Sequence, residues 1–419
     1  MGLLKGKVSV ILLVFSLLVV LCASLSVSKE DQQLRLCKEH CRQQRQLDSR
    51  QRHQCETACE EYIREKERRE QRDEPQSRHD PGKEVMIFEA NPQTFVVPNH
   101  WDADVVLFVA QGEGTVSLVY TDRRESFNIE RGHVMVIPAG VTAYLINKGN
   151  NDKLILVKLI NPVSNIGKFE SFFGPGGDNP ESYFNAFSSD ILEAAFKTSE
   201  DSLKRIFSQQ REGAIIRASE EQIKALTHEK GSHWPFGGKG SRDSAPFHLL
   251  RQNPRESNDF GSLFEVDSND YRQLRDLNVA VSFANITQGS MHTPYYNSRA
   301  TKIAVVLNGK GYFEMACPHI NSELREGTVF VVPPSHPFVT VASEDENLEV
   351  ICFEINAENN HKFPLAGQRN ILKNIEKEAK ELAFATSAEE VDEVFRNQEE
   401  EFFFKGPRQQ EHRRGYSII

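Results

Sequence analysis

The chain has no apolar run long enough to span a membrane, no surplus of positive charge, and little cysteine. Each shortage removes a class of protein. The one long hydrophobic stretch, Val8 to Leu21, follows a basic start at Lys5 and Lys7 and runs into Ala23, Ser24 and Ser26. It is too short and wrongly flanked for a membrane span, and reads as a secretory signal peptide over residues 1–26. Fifty basic against sixty acidic side chains give a formal charge of −10, which argues against a nucleic-acid binder and says nothing about fold. Of seven cysteines, Cys22 leaves with the signal and six face an oxidising lumen. A cytosolic protein, a nuclear factor and an integral membrane protein are all disfavoured. What remains is bulk. With 419 residues, 39% of them apolar, the chain is long enough for two or three domains with real cores.

Residues 27–84 form a separate compositional block. From Lys29 to Glu84 there are 14 basic and 14 acidic residues and few large apolar ones, so the block cannot build a core of its own. It carries Cys37-x3-Cys41 and Cys55-x3-Cys59. Positions i and i+4 share a helix face, so two antiparallel helices would nest the pairs as Cys37–Cys59 and Cys41–Cys55. Four cysteines allow three connectivities, and helix geometry favours this one. A zinc site with four thiolates is the rival, and the secretory context favours disulfides.

From Val85 the texture changes to short apolar runs between Gly, Pro and Asn, among them Val105–Val109, Thr115–Tyr120, Val134–Ile137 and Leu154–Ile160. That spacing predicts an all-β sandwich or barrel. Helical patterns follow over Ser189–Phe196 and from the Thr198-Ser199 cap to Gln210. A capping box, Ser219 with Gln222, leads into Ile223 and Leu226. Residues 231–245, at the heart of a Gly/Ser-rich stretch beginning near 228, read as a linker.

The β texture then restarts as a repeat. Pro98, Gly112, Gly114, Gly132 and Pro138 are answered by Pro294, Gly309, Gly311, Gly327 and Pro333, at offsets of 195 to 197. The helical part repeats at offset 188, Ala195-Phe196-x-Thr198-Ser199 against Ala383-Phe384-x-Thr386-Ser387. The body is therefore one unit twice: a β-barrel with a small helical extension at 85–230, and again at 246–405, before a tail at 406–419. Each helix pair has an apolar stripe and few partners inside its own unit, so it docks on a neighbour. Two pseudo-equivalent barrels with helices at one end suit a head-to-tail ring, predicted as a homotrimer, with a monomer whose helices dock internally as the alternative.

The region from Val85 to Gly406 resembles the double-cupin seed globulins, specifically the vicilins. Carriers of the resemblance include Phe169-Glu-Ser-Phe-Phe173, Asn179-Pro-Glu-Ser182, Asp190 to Ala195, Gln209 to Gly213, Ile216 to Ser219, Tyr296-Asn-Ser-Arg299 and Ala366-Gly367. It implies a mainly β fold of two tandem jelly-roll barrels, a role as a seed nutrient reservoir, and delivery through the secretory pathway to the protein-storage vacuole. Cupin enzymes hold a metal with two His and a Glu from one motif and a third His from another. Here Asn99, Trp101 and Val105 occupy the first motif's ligand places in the first barrel, with Ala143 at the second motif's histidine. The second barrel offers Tyr295, Asn297, Lys302 and Phe338. Val, Ala, Trp and Phe cannot coordinate a metal and Lys302 would repel one, so cupin catalysis is not expected.

Three features outside those pockets could still carry chemistry. Cys317-Pro-His319 reads as a strand, which would point thiol and imidazole the same way, and His361 follows the strand over Glu349–Ile355. A thiolate with imidazoles suits copper or zinc. Vicilins with this Met-Ala-Cys-Pro-His stretch look like copper-holding members, so Cys317, His319 and His361 are the candidate metal ligands, with His292 as a weaker extra one. A free thiol with surface histidines, or a Cys317–Cys352 disulfide, are the other readings. Asn285-Ile-Thr287 is a possible glycan site in a strand-like run. The charged arm resembles segments released as small antimicrobial peptides, with Arg42, Arg45, Arg50 and Arg52 as its basic groups. The apolar end Gly415 to Ile419 reads as a sorting signal or a frayed terminus. The expectation is a non-catalytic reserve globulin, with metal or small-ligand binding and an antimicrobial arm as alternatives.

Overall fold

The computed structural model describes residues 85–407, apart from 150, 165–167, 175 and 229–243. The signal segment, the arm with Cys37, Cys41, Cys55 and Cys59, most of the linker and the end of the tail lie outside the described residues.

The expected strands form, each a little longer than its apolar run. Leu154–Pro162 lies between Val85–Ala90 and Ala103–Gln111, and His133–Ile137 and Phe247–His248 complete the sheet. The facing sheet runs Ile215–Arg217, Thr94–Trp101, Thr142–Asn147, Glu113–Val119, Arg124–Glu130. Ala103–Gln111 is apolar at nearly every position because both of its faces are covered. Side chains alternate across a strand. Leu107 and Val109 point into the barrel with Leu118, Ile129 and Met135. Val106 and Phe108 point out, into a core shared with the second barrel.

The second barrel repeats the arrangement. One sheet runs Glu256–Asn258, Gly261–Val266, Val279–Ile286, Leu348–Ile355, Thr301–Asn308, Val329–Val332. The other holds Ile320–Arg325, Lys310–Met315, Phe338–Ala342, Ser290–His292 and Phe403–Lys405. Equivalence extends to irregularities: the register slips between Val109 and Gln111 in one barrel and between Val306 and Asn308 in the other. The repeated glycines have a steric cause. Gly112 and Gly309 sit at φ 79° and 86°, and a Cβ on them would lie 2.4 Å from the Lys153 carbonyl oxygen and 1.9 Å from that of Asn347.

The barrels share one apolar core. Val106, Phe108, Val157 and Leu159 meet Val281, Phe283, Val305 and Phe353, and the Phe108 and Phe283 rings stack 6.1 Å apart. Truncating a wholly buried Phe such as Phe108 in a core like this costs about 3–5 kcal/mol. An ion pair at the seam, Arg131 to Glu349 at 2.8 Å, ties the first unit to the second.

Five α-helices are described: α1 Ser189–Phe196, α2 Glu200–Phe207, α3 Glu220–His228, α4 Lys377–Phe384 and α5 Ala388–Arg396. The offset of 188 holds for backbone conformation as well as sequence. α1 and α4 both end on a left-handed residue, Lys197 at φ 50° and Ala385 at φ 52°. The capping box of α3 is reciprocal: Ser219 Oγ accepts from the Gln222 N–H, and Gln222 Oε1 accepts from the Ser219 N–H. α2 stops at Phe207, short of the expected Gln210. Ser208 turns both its N–H and its hydroxyl onto the Lys204 carbonyl, which closes the helix. After its helices each unit returns a short strand to its own barrel, Ile215–Arg217 beside Thr94–Trp101 and Phe403–Lys405 beside Ser290–His292.

Candidate functional site

The coordination positions of both barrels are on rigid strands, so their side chains decide what the pockets can do. In the first barrel Asn99 turns its amide back onto the Val97 carbonyl at 2.8 Å. Trp101 stacks on Phe169 at 5.0 Å, and Val105 is buried. The Lys158 ammonium lies 4.5 Å from the Phe88 ring centre and 5.1 Å from that of Trp101. Burial pulls its pKa down to about 8.

The second barrel is filled differently. Tyr295 and Phe338 lie ring to ring at 4.4 Å, and Phe313 packs on Phe330 at 4.6 Å. Lys302 was expected only to repel a metal. It is in fact neutralised, with its Nζ donating to Glu354 Oε1 at 2.6 Å and both side chains almost wholly buried. Burial opposes the charge on each partner, and the local field wins. Cys352 and Glu354 leave Lys302 well above the usual lysine range, while Lys302 and Lys362 hold Glu354 down to about 2. Lys362 pairs with Glu265. His292 is committed to Glu256 at 3.3 Å and to the Thr293 carbonyl at 3.1 Å, which fits a packed core histidine better than a ligand.

The ladder registers give the reason the two barrels differ. Lys302 faces Glu354 where, in the first barrel, Val105 faces Ile160. A buried salt bridge in one copy is thus an aliphatic pair in the other. Neither pair offers a vacant donor to an ion.

Cys317-Pro318-His319 is a turn, contrary to the expected strand. The ladder of Lys310–Met315 with Ile320–Arg325 ends at Met315 opposite Ile320. Cys317 adopts φ 56°, and Pro318 has no N–H to continue the ladder. Cys317 and His319 are exposed, and Cys317 and Cys352 are both free thiols. His361 lies on the same rim. Backbone bonds run from the Ala316 N–H to the Pro337 carbonyl (2.8 Å), from Ser335 to Asn297 (2.7 Å) and from Ser298 to His361 (2.9 Å). The rim is shared, but these three residues are not closed into a preformed cluster. Asn285 lies mid-sheet, its strand paired on one side to Ser262 and on the other to Glu349, with its side-chain oxygen buried and unpartnered.

Among the described residues one set of three side chains places potential ligand atoms within 4.8 Å of one another: Glu130, His133 and His248. Sequence reasoning missed it, since no motif spacing links residues that meet only when Phe247–His248 pairs with His133–Ile137. Both imidazoles are held below the usual histidine pKa by burial first; His248 then disfavours the charge on His133, and Arg251 that on His248.

Two fused barrels of this topology, with apolar, amide and charge-paired groups in the coordination places, define a tandem-cupin globulin. The cupin family model matches residues 84–203 and 247–392. A vicilin from Corylus avellana is 44% identical over 441 residues, covering 92% of this chain and 98% of its own. One from Juglans regia is 42% identical, covering 97% and 98%. The crystal structure of the Corylus avellana vicilin matches with a TM-score of 0.71 and 48% identity, over 77% of this chain and 88% of that one. The chain belongs to the vicilin family, and it is a seed storage globulin.

Proposed function

We propose that storage is the whole chemistry of the two barrels: a non-catalytic reserve, carried by the secretory pathway to the seed storage vacuole and packed there as a homotrimer. The observation that carries the reading is the occupancy of the coordination places. In one barrel aliphatic, aromatic and amide groups stand there, and in the other Lys302 is satisfied by the carboxylate of Glu354.

The helical extensions support the trimer. Ile206 on α2 is 65% exposed and Val394, its equivalent on α5, is 64% exposed; Leu382 on α4 reaches 86%. Phe196 and Phe384, also equivalent, are exposed beside them. Matched apolar faces on the two repeated units suit a heterologous, ring-closing contact with further copies. Native mass spectrometry tests this. Wild type is expected at three chains, and Ile206→Asp with Val394→Asp at one; a wild-type monomer would sink the reading.

A second reading concerns the rim of the second barrel. Cys317, His319 and His361 offer one thiol and two imidazoles, a donor set suited to copper. The shared rim favours it, while the open arrangement requires the turn to close on the ion. Copper analysis of purified protein before and after Cys317→Ala decides it.

A further inference from the structure

We propose that Glu130, His133 and His248 form a second, separate site for a divalent transition-metal ion of the zinc class, at the joint where the second unit's chain enters the first barrel.

The donors are placed by backbone geometry. Glu130 ends one strand and His133 begins the next, across a tight turn in which Gly132 takes φ 94°. That turn is short enough for the Glu130 N–H to donate to His133 Nδ1 at 2.9 Å. His248 comes from the other unit, on a two-residue strand whose register puts it directly opposite His133, with the ring centres 4.6 Å apart. Residues directly opposite in an antiparallel ladder have Cβ atoms about 4.5–5.5 Å apart, so the two side chains stay neighbours as long as the pairing holds.

The contacts within the cluster can be exchanged for contacts to an ion. His248 Nε2 lies 3.3 Å from Glu130 Oε1, so the ligand atoms of these two residues already face each other, and an ion seated between them replaces that contact. The other ring nitrogen of His248, Nδ1, is buried with no hydrogen-bond partner, so no neighbouring group holds the ring against the tautomer that presents its Nε2 lone pair to an ion. His133 spends its Nδ1 lone pair on the Glu130 N–H, so binding through that nitrogen exchanges the bond for one to the ion.

Two imidazoles with a carboxylate suit zinc in preference to magnesium or calcium. One group opposes it: Arg251 donates to Glu130 Oε1 at 2.5 Å and places a positive charge beside the ion. That opposition gives the site a signature that a surface histidine elsewhere would lack. Removing Arg251 must tighten binding, while removing any of the three donors must weaken it.

The test uses full-length protein carrying Cys317→Ala, so that the rim thiol cannot contribute, stripped with chelator and titrated with zinc alone. Calorimetry and elemental analysis are expected to give one zinc per chain, with a rise in melting temperature because the ion binds only the folded joint. Glu130→Gln, which keeps the side-chain shape, is expected to weaken binding at least tenfold, as is His133→Gln. Arg251→Gln is expected to tighten it several-fold. Zinc binding unchanged in Glu130→Gln and His133→Gln, or no stoichiometric zinc in the Cys317→Ala protein, would overturn the proposal. So would unchanged or weaker binding in Arg251→Gln.

Discussion

Replacing Lys302 with Val, Glu354 with Ile, and then both together should give sharply non-additive losses of stability. Both side chains are almost wholly buried and 2.6 Å apart. The fold holds the Glu354 carboxyl at about 2 against an ordinary 4.5, so the buried site favours its charged form. Lys302→Val leaves that carboxylate buried with only the field of Lys362, and Glu354→Ile strands the ammonium. Breaking such a pair from one side costs about 3–5 kcal/mol. The double replacement installs the aliphatic pair that the first barrel already carries in the same register, Val105 opposite Ile160. It is expected to lie within about 1.5 kcal/mol of wild type, since a well-packed apolar pair commonly matches a buried ion pair. Urea midpoints followed by circular dichroism give the comparison. A double variant as unstable as the sum of the singles would refute the reasoning, because the pair would then not be an exchangeable packing solution.

Three other outcomes follow from the same structure. The Lys302–Glu354 pair should survive mild acid. Glu354 has a depressed folded pKa, so its contribution is complete above 4.5 and is lost only as the pH falls through about 2; a second-barrel melting temperature that fell steeply between pH 7 and 5 in wild type, but not in the double variant, would contradict this. Cys317, exposed on its turn, should react with a thiol reagent in the native protein while buried Cys352, its pKa raised by burial, should not; copper should protect the first if the rim holds it. Ile206→Asp and Val394→Asp should each lower the assembly mass while leaving the circular dichroism spectrum intact, since both side chains are more than half exposed.

The duplicated architecture was legible because it rests on local signals. Alternating apolar runs, positive-φ glycines and capping residues recur at fixed offsets, and all of them act within a few residues. The emptiness of the coordination places was legible for a similar reason: those places are counted from Gly and Pro. What the sequence hid lies in pairings across strands. Lys302 looked like a lone repulsive charge because its partner is 52 residues away, and His133 meets His248 only through ladder register. Cys317 was misplaced because a proline alone does not tell strand from turn: Pro98 lies within the strand Thr94–Trp101, while Pro318 sits in the turn between Lys310–Met315 and Ile320–Arg325.

The central claim is that the barrels are a protected reserve whose cleavage begins outside them. Limited proteolysis of the native assembly, followed by intact mass over time, tests it most directly. The account predicts first cuts within residues 62–84 and 228–245, with fragments that keep the 85–228 and 246–405 regions whole until late. Early cuts inside barrel strands such as Ala103–Gln111 or Leu348–Ile355, with both outer stretches still intact, would contradict it.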